Sequence, residues 1–219
     1  MSAQSAIVFL IDVDNTLLDN DQIITDLRDH LRRAFGIDSA TQYWRIFESL
    51  RTKLGYADYL GALQRYRLTN LHDPRLLEMS SFLVDYPFAT RLYPGALDVI
   101  RRLDQFGTCV ILSDGDAVFQ PRKVQRAGLW DAVAGRVLIY IHKEQMLDDV
   151  CERFPADRYV MIDDKLRILA AMKSAWQQKL TTVFVRQGHY ANDSAALANY
   201  PSADVTVACI GDLRRWPLT

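Results

Sequence analysis

Two carboxylates stand two residues apart in Phe9-Leu10-Ile11-Asp12-Val13-Asp14-Asn15-Thr16, directly behind the apolar run Ile7-Val8-Phe9-Leu10-Ile11. Polar endings recur behind later apolar runs. Ser113-Asp114-Gly115-Asp116 follows Cys109-Val110-Ile111-Leu112, His142-Lys143 follows Val137-Leu138-Ile139-Tyr140-Ile141, and Asp163-Asp164-Lys165 follows Tyr159-Val160-Met161-Ile162. Carboxylates gathered in one crevice repel, and each raises its neighbours' pKa unless a cation intervenes. Oxygen donors with no His or Cys among them favour a hard ion, above all Mg²⁺. Such an ion and the Lys143 ammonium beside several acids form a setting ready to accept a phosphoryl group.

These residues meet only if the apolar runs are neighbouring parallel strands, because ligands of open α/β sheets bind beyond the carboxyl ends of the strands. The spacing elsewhere agrees with that layout. Ile23, Ile24, Leu27, Leu31 and Phe35 fall at helical intervals before Gly36, and Ser39 is placed to cap a second helix carrying Tyr43, Trp44, Phe47, Leu50 and Leu54. Further helices are expected over 57–68 and 74–84, so residues 20–89 read as helices only. After that, helices from Pro94, over 121–127, 144–153 and 166–178 alternate with the apolar runs and with Thr182-Val183-Phe184-Val185 and Val205-Thr206-Val207. Alternation of this kind implies a Rossmann-like parallel sheet covered on both faces. The fold class is therefore α/β, with residues 1–19 and 90–219 forming the core and an all-α insert at 20–89.

The 219 residues are 49% hydrophobic and 24% charged with a net charge of -1, which favours neither a nucleic-acid nor a membrane partner. No apolar run approaches the roughly 20 residues of a membrane span. No secretory signal is expected, since no basic start, apolar stretch and small-residue cleavage site is apparent, and Cys109, Cys151 and Cys209 show no paired spacing. A cytoplasmic setting with buried free thiols is expected. Asp116 is expected to cap the following helix, and Asp19 and Asp21 to be solvated loop acids. Tyr43, Trp44, Tyr56, Tyr59 and Tyr66 alternate with Arg45, Arg51, Lys53, Arg65 and Arg67. Aromatics packed inside a small bundle with Arg outside is the simpler reading, and a substrate wall or a dimer surface is the other.

The ordered set Asp12-Val13-Asp14-Asn15-Thr16, Ser113 in ILSDGD, Lys143 in IHKE and Asp163-Asp164 in VMIDDK resembles the motifs of the haloacid dehalogenase superfamily, over almost the whole chain. That resemblance implies that Asp12 is a nucleophile forming a phosphoaspartate, and that Asp14 is first general acid and then base. It implies Mg²⁺ held by the Asp12 carboxylate, the Asp14 carbonyl and Asp163, with Asp164 in support. Ser113, Asp114, Gly115 and Lys143 would bind the phosphoryl group, and Thr16 would orient Asp14. The Asp12 strand would lie between those of Ser113 and Asp163, and segment 20–89 would be a helical cap. Many members carry Pro after the third-motif Lys where this chain has Glu144. Lys123 is therefore a rival for Lys143, which is preferred because it lies just beyond a strand.

The resemblance implies a phosphatase acting on a small phosphorylated substrate. Members that cleave carbon–halogen bonds lack the second Asp, since halide leaves without a proton, and Asp14 argues against that chemistry. Phosphoaspartate receiver domains place their Lys last and lack a long helical insert. An inactive relative serving as an interaction module is the non-enzymatic alternative. Oligomeric state and substrate are not legible.

Overall fold

The computed structural model describes residues 7–217. Its sheet has six parallel strands: β1 (Ile7–Ile11), β2 (Thr108–Asp114), β3 (Val137–Tyr140), β4 (Arg158–Asp163), β5 (Leu180–Val185) and β6 (Val205–Val207), in the order β3-β2-β1-β4-β5-β6. The expected position of β1, between the strands of Ser113 and Asp163, is observed. Alternation along each strand divides the core in two. Phe9, Ile11, Cys109, Ile111, Val160, Ile162, Val183 and Val185 face one side. Val8, Leu10, Val110, Leu112, Tyr159, Met161, Leu180 and Phe184 face the other. Burial on both faces is why these strands read as unbroken apolar runs.

Helices α1 (Asn20–Phe35), α2 (Ile37–Leu54), α3 (Tyr59–Thr69) and α4 (Leu76–Asp85) lie between β1 and β2 and pack into the first of these clusters through Leu27, Phe47, Tyr59 and Leu83. The same side carries α5 (Ala96–Leu103), α6 (Phe119–Arg126) and α7 (Leu129–Ala132). The opposite side carries α8 (Leu147–Arg153) and α9 (Leu166–Trp176). The short α10 (Ser194–Asn199) precedes β6. A row of rings joins the inserted helices to α6: Phe47 stacks on Tyr59 at 4.7 Å, Tyr59 meets Phe119 at 4.7 Å, and Phe119 meets Phe88 at 5.6 Å. No helix among the described residues is long and apolar enough to cross a membrane.

Several local expectations need correction. Ser39 lies inside α2, because Gly36 with φ +84 turns the chain sharply enough for the helix to begin at Ile37. The helix expected from Pro94 starts at Ala96. The α6 helix starts before Pro121, which occupies its third position, where a missing N–H costs nothing. A single helix over 144–153 is instead a 3₁₀ turn at Lys143–Gln145 followed by α8. Asp19 caps α1 by accepting from the Gln22 N–H, and Asp21 is bonded within the first turn of that helix, so neither is a solvated loop acid. All three thiols are free but only Cys109 is buried, inside β2, where burial pushes its pKa up to about 12.

Candidate functional site

The polar strand ends converge. Asp12 continues the β1–β4 pairing for one residue, its N–H donating to the Ile162 carbonyl at 3.0 Å. The chain then folds into a tight loop in which Leu17 and Leu18 both donate to the Val13 carbonyl. Asn15 occupies this loop with φ 59. Its side-chain oxygen accepts from the Asn20 and Asp21 N–H groups, tying the loop to the start of α1. Gly188 passes so close that a Cβ there would lie 2.4 Å from Asn15 Cγ.

Both candidate lysines are buried in the site, each on a different acid. Lys143 Nζ lies 2.5 Å from Asp12 Oδ1 and 2.7 Å from Asp163 Oδ2. Burial alone would depress the Lys143 pKa, but the charges of Asp12, Asp163 and Asp114 outweigh it and hold the ammonium protonated. Lys123 Nζ, from α6, lies 2.6 Å from Asp14 Oδ1 and 3.0 Å from Asn20 Oδ1. Asp14 Oδ2 accepts no hydrogen bond from the described residues. The two carboxylates therefore do not share one counter-ion as an extended strand would have allowed, because β1 ends at Ile11 and the chain turns. The Thr16 hydroxyl donates to Asp12 Oδ2 at 3.1 Å, so it orients Asp12 rather than Asp14.

Asp163 and Asp164 are 0% exposed. Asp163 Oδ1 accepts the Lys165 N–H at 2.8 Å, whereas both oxygens of Asp164 have no hydrogen-bond partner among the described residues. Burial raises both pKa values, that of Asp164 well above the carboxylate range. Carboxylate oxygens of Asp12, Asp163 and Asp164 lie within 4.8 Å of one another. Lys143 and Lys165 together bring two positive charges to three buried acids, and the unpaired oxygens of Asp164 are costly to bury, so an all-oxygen set of this kind fits a hard divalent cation.

The remaining motif residues are placed as follows. Ser113 is 1% exposed; its hydroxyl accepts from Gln120 Nε2 at 2.9 Å and donates to the Asp114 carbonyl at 3.3 Å. Asp114 Oδ1 accepts the Lys143 N–H at 2.7 Å, and burial pushes its pKa up to about 6. The Gly115 N–H donates to the Tyr140 carbonyl at 2.9 Å, so that donor is occupied rather than presented to a phosphoryl oxygen. A Cβ at Gly115 would lie 2.5 Å from Gln120, which is why this position is glycine. Asp116 accepts from the N–H groups of Val118 and Phe119, as expected of a cap. Glu144, at the position where Pro is common, bonds Arg167 at 2.7 Å and so fastens the turn after β3 to α9. Burial opposes its ionisation, but Arg167 outweighs that and lowers its pKa.

A cleft of about 580 Å³ opens above this array. Asp14, Asp114, Gly115, Gln120 and Lys165 line it from the strand ends, and Arg28, Trp44, Arg51, Tyr56 and Tyr59 line it from the inserted helices. The aromatic residues thus divide: Tyr43 and Tyr66 belong to the interior, whereas Trp44, Tyr56 and Tyr59 reach the cleft. Gln120, Lys165 and Asn20 were not anticipated as site residues. Lys165 follows the acid pair directly and was legible as such, but nothing in the local sequence marks Gln120 or Asn20.

A family model for haloacid dehalogenase-like hydrolases matches residues 8–175. Among solved structures, a Burkholderia xenovorans protein assigned to the haloacid dehalogenase-like hydrolases is 65% identical. That match covers 98% of this chain and 100% of that one with a TM-score of 0.93. A magnesium-bound hydrolase of the same kind from Bacillus subtilis is 18% identical over 95% and 97% of the two chains, with a TM-score of 0.63. An L-2-haloacid dehalogenase from Xanthobacter autotrophicus, with chloropropionic acid covalently bound, is 20% identical over 95% and 96%, with a TM-score of 0.58. The last two share the fold. No curated protein matches the chain.

Proposed function

Because the chain belongs to the haloacid dehalogenase-like hydrolases, we propose that it is a Mg²⁺-dependent phosphatase of a small phosphorylated metabolite, with residues 20–89 acting as its cap over the core of 1–19 and 90–219. Asp14 carries this reading: it lines the cleft, is held through Oδ1 by Lys123, and has Oδ2 free for a leaving oxygen. Halide departs without a proton, so carbon–halogen cleavage would give this second acid nothing to do.

In the proposed reaction an Asp12 carboxylate oxygen bonds to phosphorus as the bond to the leaving oxygen breaks, and Asp14 gives that oxygen its proton. Asp14 then takes a proton from water, whose oxygen attacks the aspartyl phosphate; the bond from phosphorus to Asp12 breaks and phosphate departs. Lys143 offsets charge on Asp12 and the phosphoryl group, with Ser113 beside it. The Asp12, Asp163 and Asp164 carboxylates, with the Asp14 carbonyl, would hold Mg²⁺, which when bound supplies positive charge against the acids and the phosphoryl oxygens. The net charge of -1 and the free thiols support a cytoplasmic setting without nucleic-acid or membrane partners.

Turnover of an aryl phosphate with Mg²⁺ and with EDTA tests the reading. Halide release from a haloacid without phosphate ester hydrolysis would overturn it, and inertness to both would favour an interaction module. Asp14→Asn should lower turnover of alkyl phosphates by about 10²-fold or more, the range of general acid catalysis, and of aryl phosphates much less. Equal losses across leaving groups would remove its acid role. Mg²⁺ at a hundred times its Kd should stabilise the fold by about 2.7 kcal/mol, raising Tm by roughly 5–10 °C over the EDTA-treated protein. An unchanged melting curve at saturating Mg²⁺ would take the cation out of this cluster.

A further inference from the structure

Tyr59 is 2% exposed and lines the cleft, yet its hydroxyl completes no hydrogen bond among the described residues. The Asn20 side chain is near enough to influence that hydroxyl, but its Oδ1 already accepts from Lys123 Nζ at 3.0 Å. The ring cannot turn away to find one: Phe47 and Phe119 hold its faces, and its own carbonyl accepts the Tyr43 hydroxyl at 2.9 Å. A clamped, buried phenol without a partner is costly unless something else completes it. Arg51 lines the same wall. Its guanidinium donates to the Tyr190 hydroxyl and forms a loose ion pair with Glu48 at 3.7 Å, beyond hydrogen-bond reach, which leaves N–H donors over. Arg28, also lining the cleft, lies 4.8 Å over the Trp44 ring and has no carboxylate partner among the described residues. Among the acids of the cleft, Asp14 holds Lys123, Asp21 holds His189 at 2.6 Å, Asp114 accepts the Lys143 N–H, and Glu48 faces Arg51. On the helical wall Arg28, Arg51 and the Tyr59 phenol face one acid without a hydrogen bond among the described residues, Glu48, so the surplus there is donor capacity.

We propose that Tyr59 and Arg51, with Arg28 nearby, form a subsite for a second anionic group on the substrate, so that the compound hydrolysed is a phosphate monoester whose leaving group carries a carboxylate or a further phosphate. This rests on the phosphatase reading for the other end of the molecule. A planar guanidinium and a phenolic O–H together match the lone pairs of a carboxylate, and in a partly dewatered cleft such bonds discriminate strongly. A cleft of about 580 Å³ is of the size that encloses a small metabolite.

The test is calorimetric titration of the Mg²⁺-loaded Asp12→Asn protein, which can bind esters without consuming them. The ligands are phosphate monoesters of glycolic, hydroxypropanoic and hydroxybutanoic acid, alkyl phosphates of matching length, and an alkane bisphosphate. At least one doubly anionic ester should bind about tenfold or more tightly than its alkyl counterpart, the ratio carried by a hydrogen bond to a charged group. That ratio should fall to about threefold or less when Tyr59→Phe or Arg51→Gln is added, in variants whose circular dichroism is unchanged. Which ester leads separates a carboxylate from a second phosphate. Equal binding of the matched esters, no binding of any, or a preference that survives both substitutions overturns the subsite. Aryl phosphate turnover by the unsubstituted protein, run alongside, decides the phosphatase reading separately.

Discussion

Replacing Asp12 with Asn is expected to lower Mg²⁺-dependent phosphate ester turnover by about 10⁴-fold or more, the scale of losing a covalent nucleophile. The amide keeps the shape of the side chain but not its chemistry, since its nitrogen does not attack phosphorus. Its single oxygen can still accept from Lys143, and its NH₂ can donate to the Thr16 hydroxyl, so both hydrogen bonds have a replacement. The variant also removes one negative charge from a cluster in which Asp163 and Asp164 are already buried. Its Tm without metal should therefore match or exceed that of the parent. Steady-state turnover and a thermal melt check both halves. Near-parental turnover would place the nucleophile elsewhere, and collapse of the fold would make the loss of activity structural.

Lys143→Met should produce the largest loss of stability of any single change at the site. The side chain is about the same length, but Asp12 and Asp163 are left buried without the ammonium that lies 2.5 and 2.7 Å from them. Breaking a buried pair by removing one partner costs about 3–5 kcal/mol, because the other charge stays desolvated. In a protein of this size that corresponds to a fall in Tm of roughly 10 °C. Urea unfolding without metal measures it directly. Adding Asp12→Asn to Lys143→Met should recover part of the loss, since it removes one of the stranded charges. An unchanged unfolding midpoint in the single variant would mean that Lys143 is not the counter-charge.

The strands and the strand-end acids were legible because each apolar run is buried on both faces and stops where its carboxylates begin. That pattern is local and says nothing of strand order; the place of β1 between β2 and β4 is implied by the family resemblance instead. The two lysines were posed as alternatives because sequence offers no way to see that α6 brings Lys123 to Asp14 across 109 positions while Lys143 goes to Asp12. The geometry uses both. The resemblance implies that Thr16 orients Asp14, whereas its hydroxyl donates to Asp12, a contact set by the tight loop that follows β1. The helical wall was harder still. Tyr43 and Tyr59 look alike in an amphipathic pattern, and only packing reveals that one hydroxyl is satisfied by a backbone carbonyl while the other is left open. Helix boundaries slipped by a few residues where a glycine or a 3₁₀ turn, rather than a capping side chain, set the end.

The ring-to-ring contacts running from Phe47 through Tyr59 to Phe119 act as an adhesive seam. Of these, the Tyr59–Phe119 contact crosses from the inserted helices to α6, and parting it would wet both rings and forfeit about 0.5–1.5 kcal/mol beyond the area exposed. That attachment fixes one wall of the cleft to the core, so a substrate that enters by the open rim meets a wall already in place.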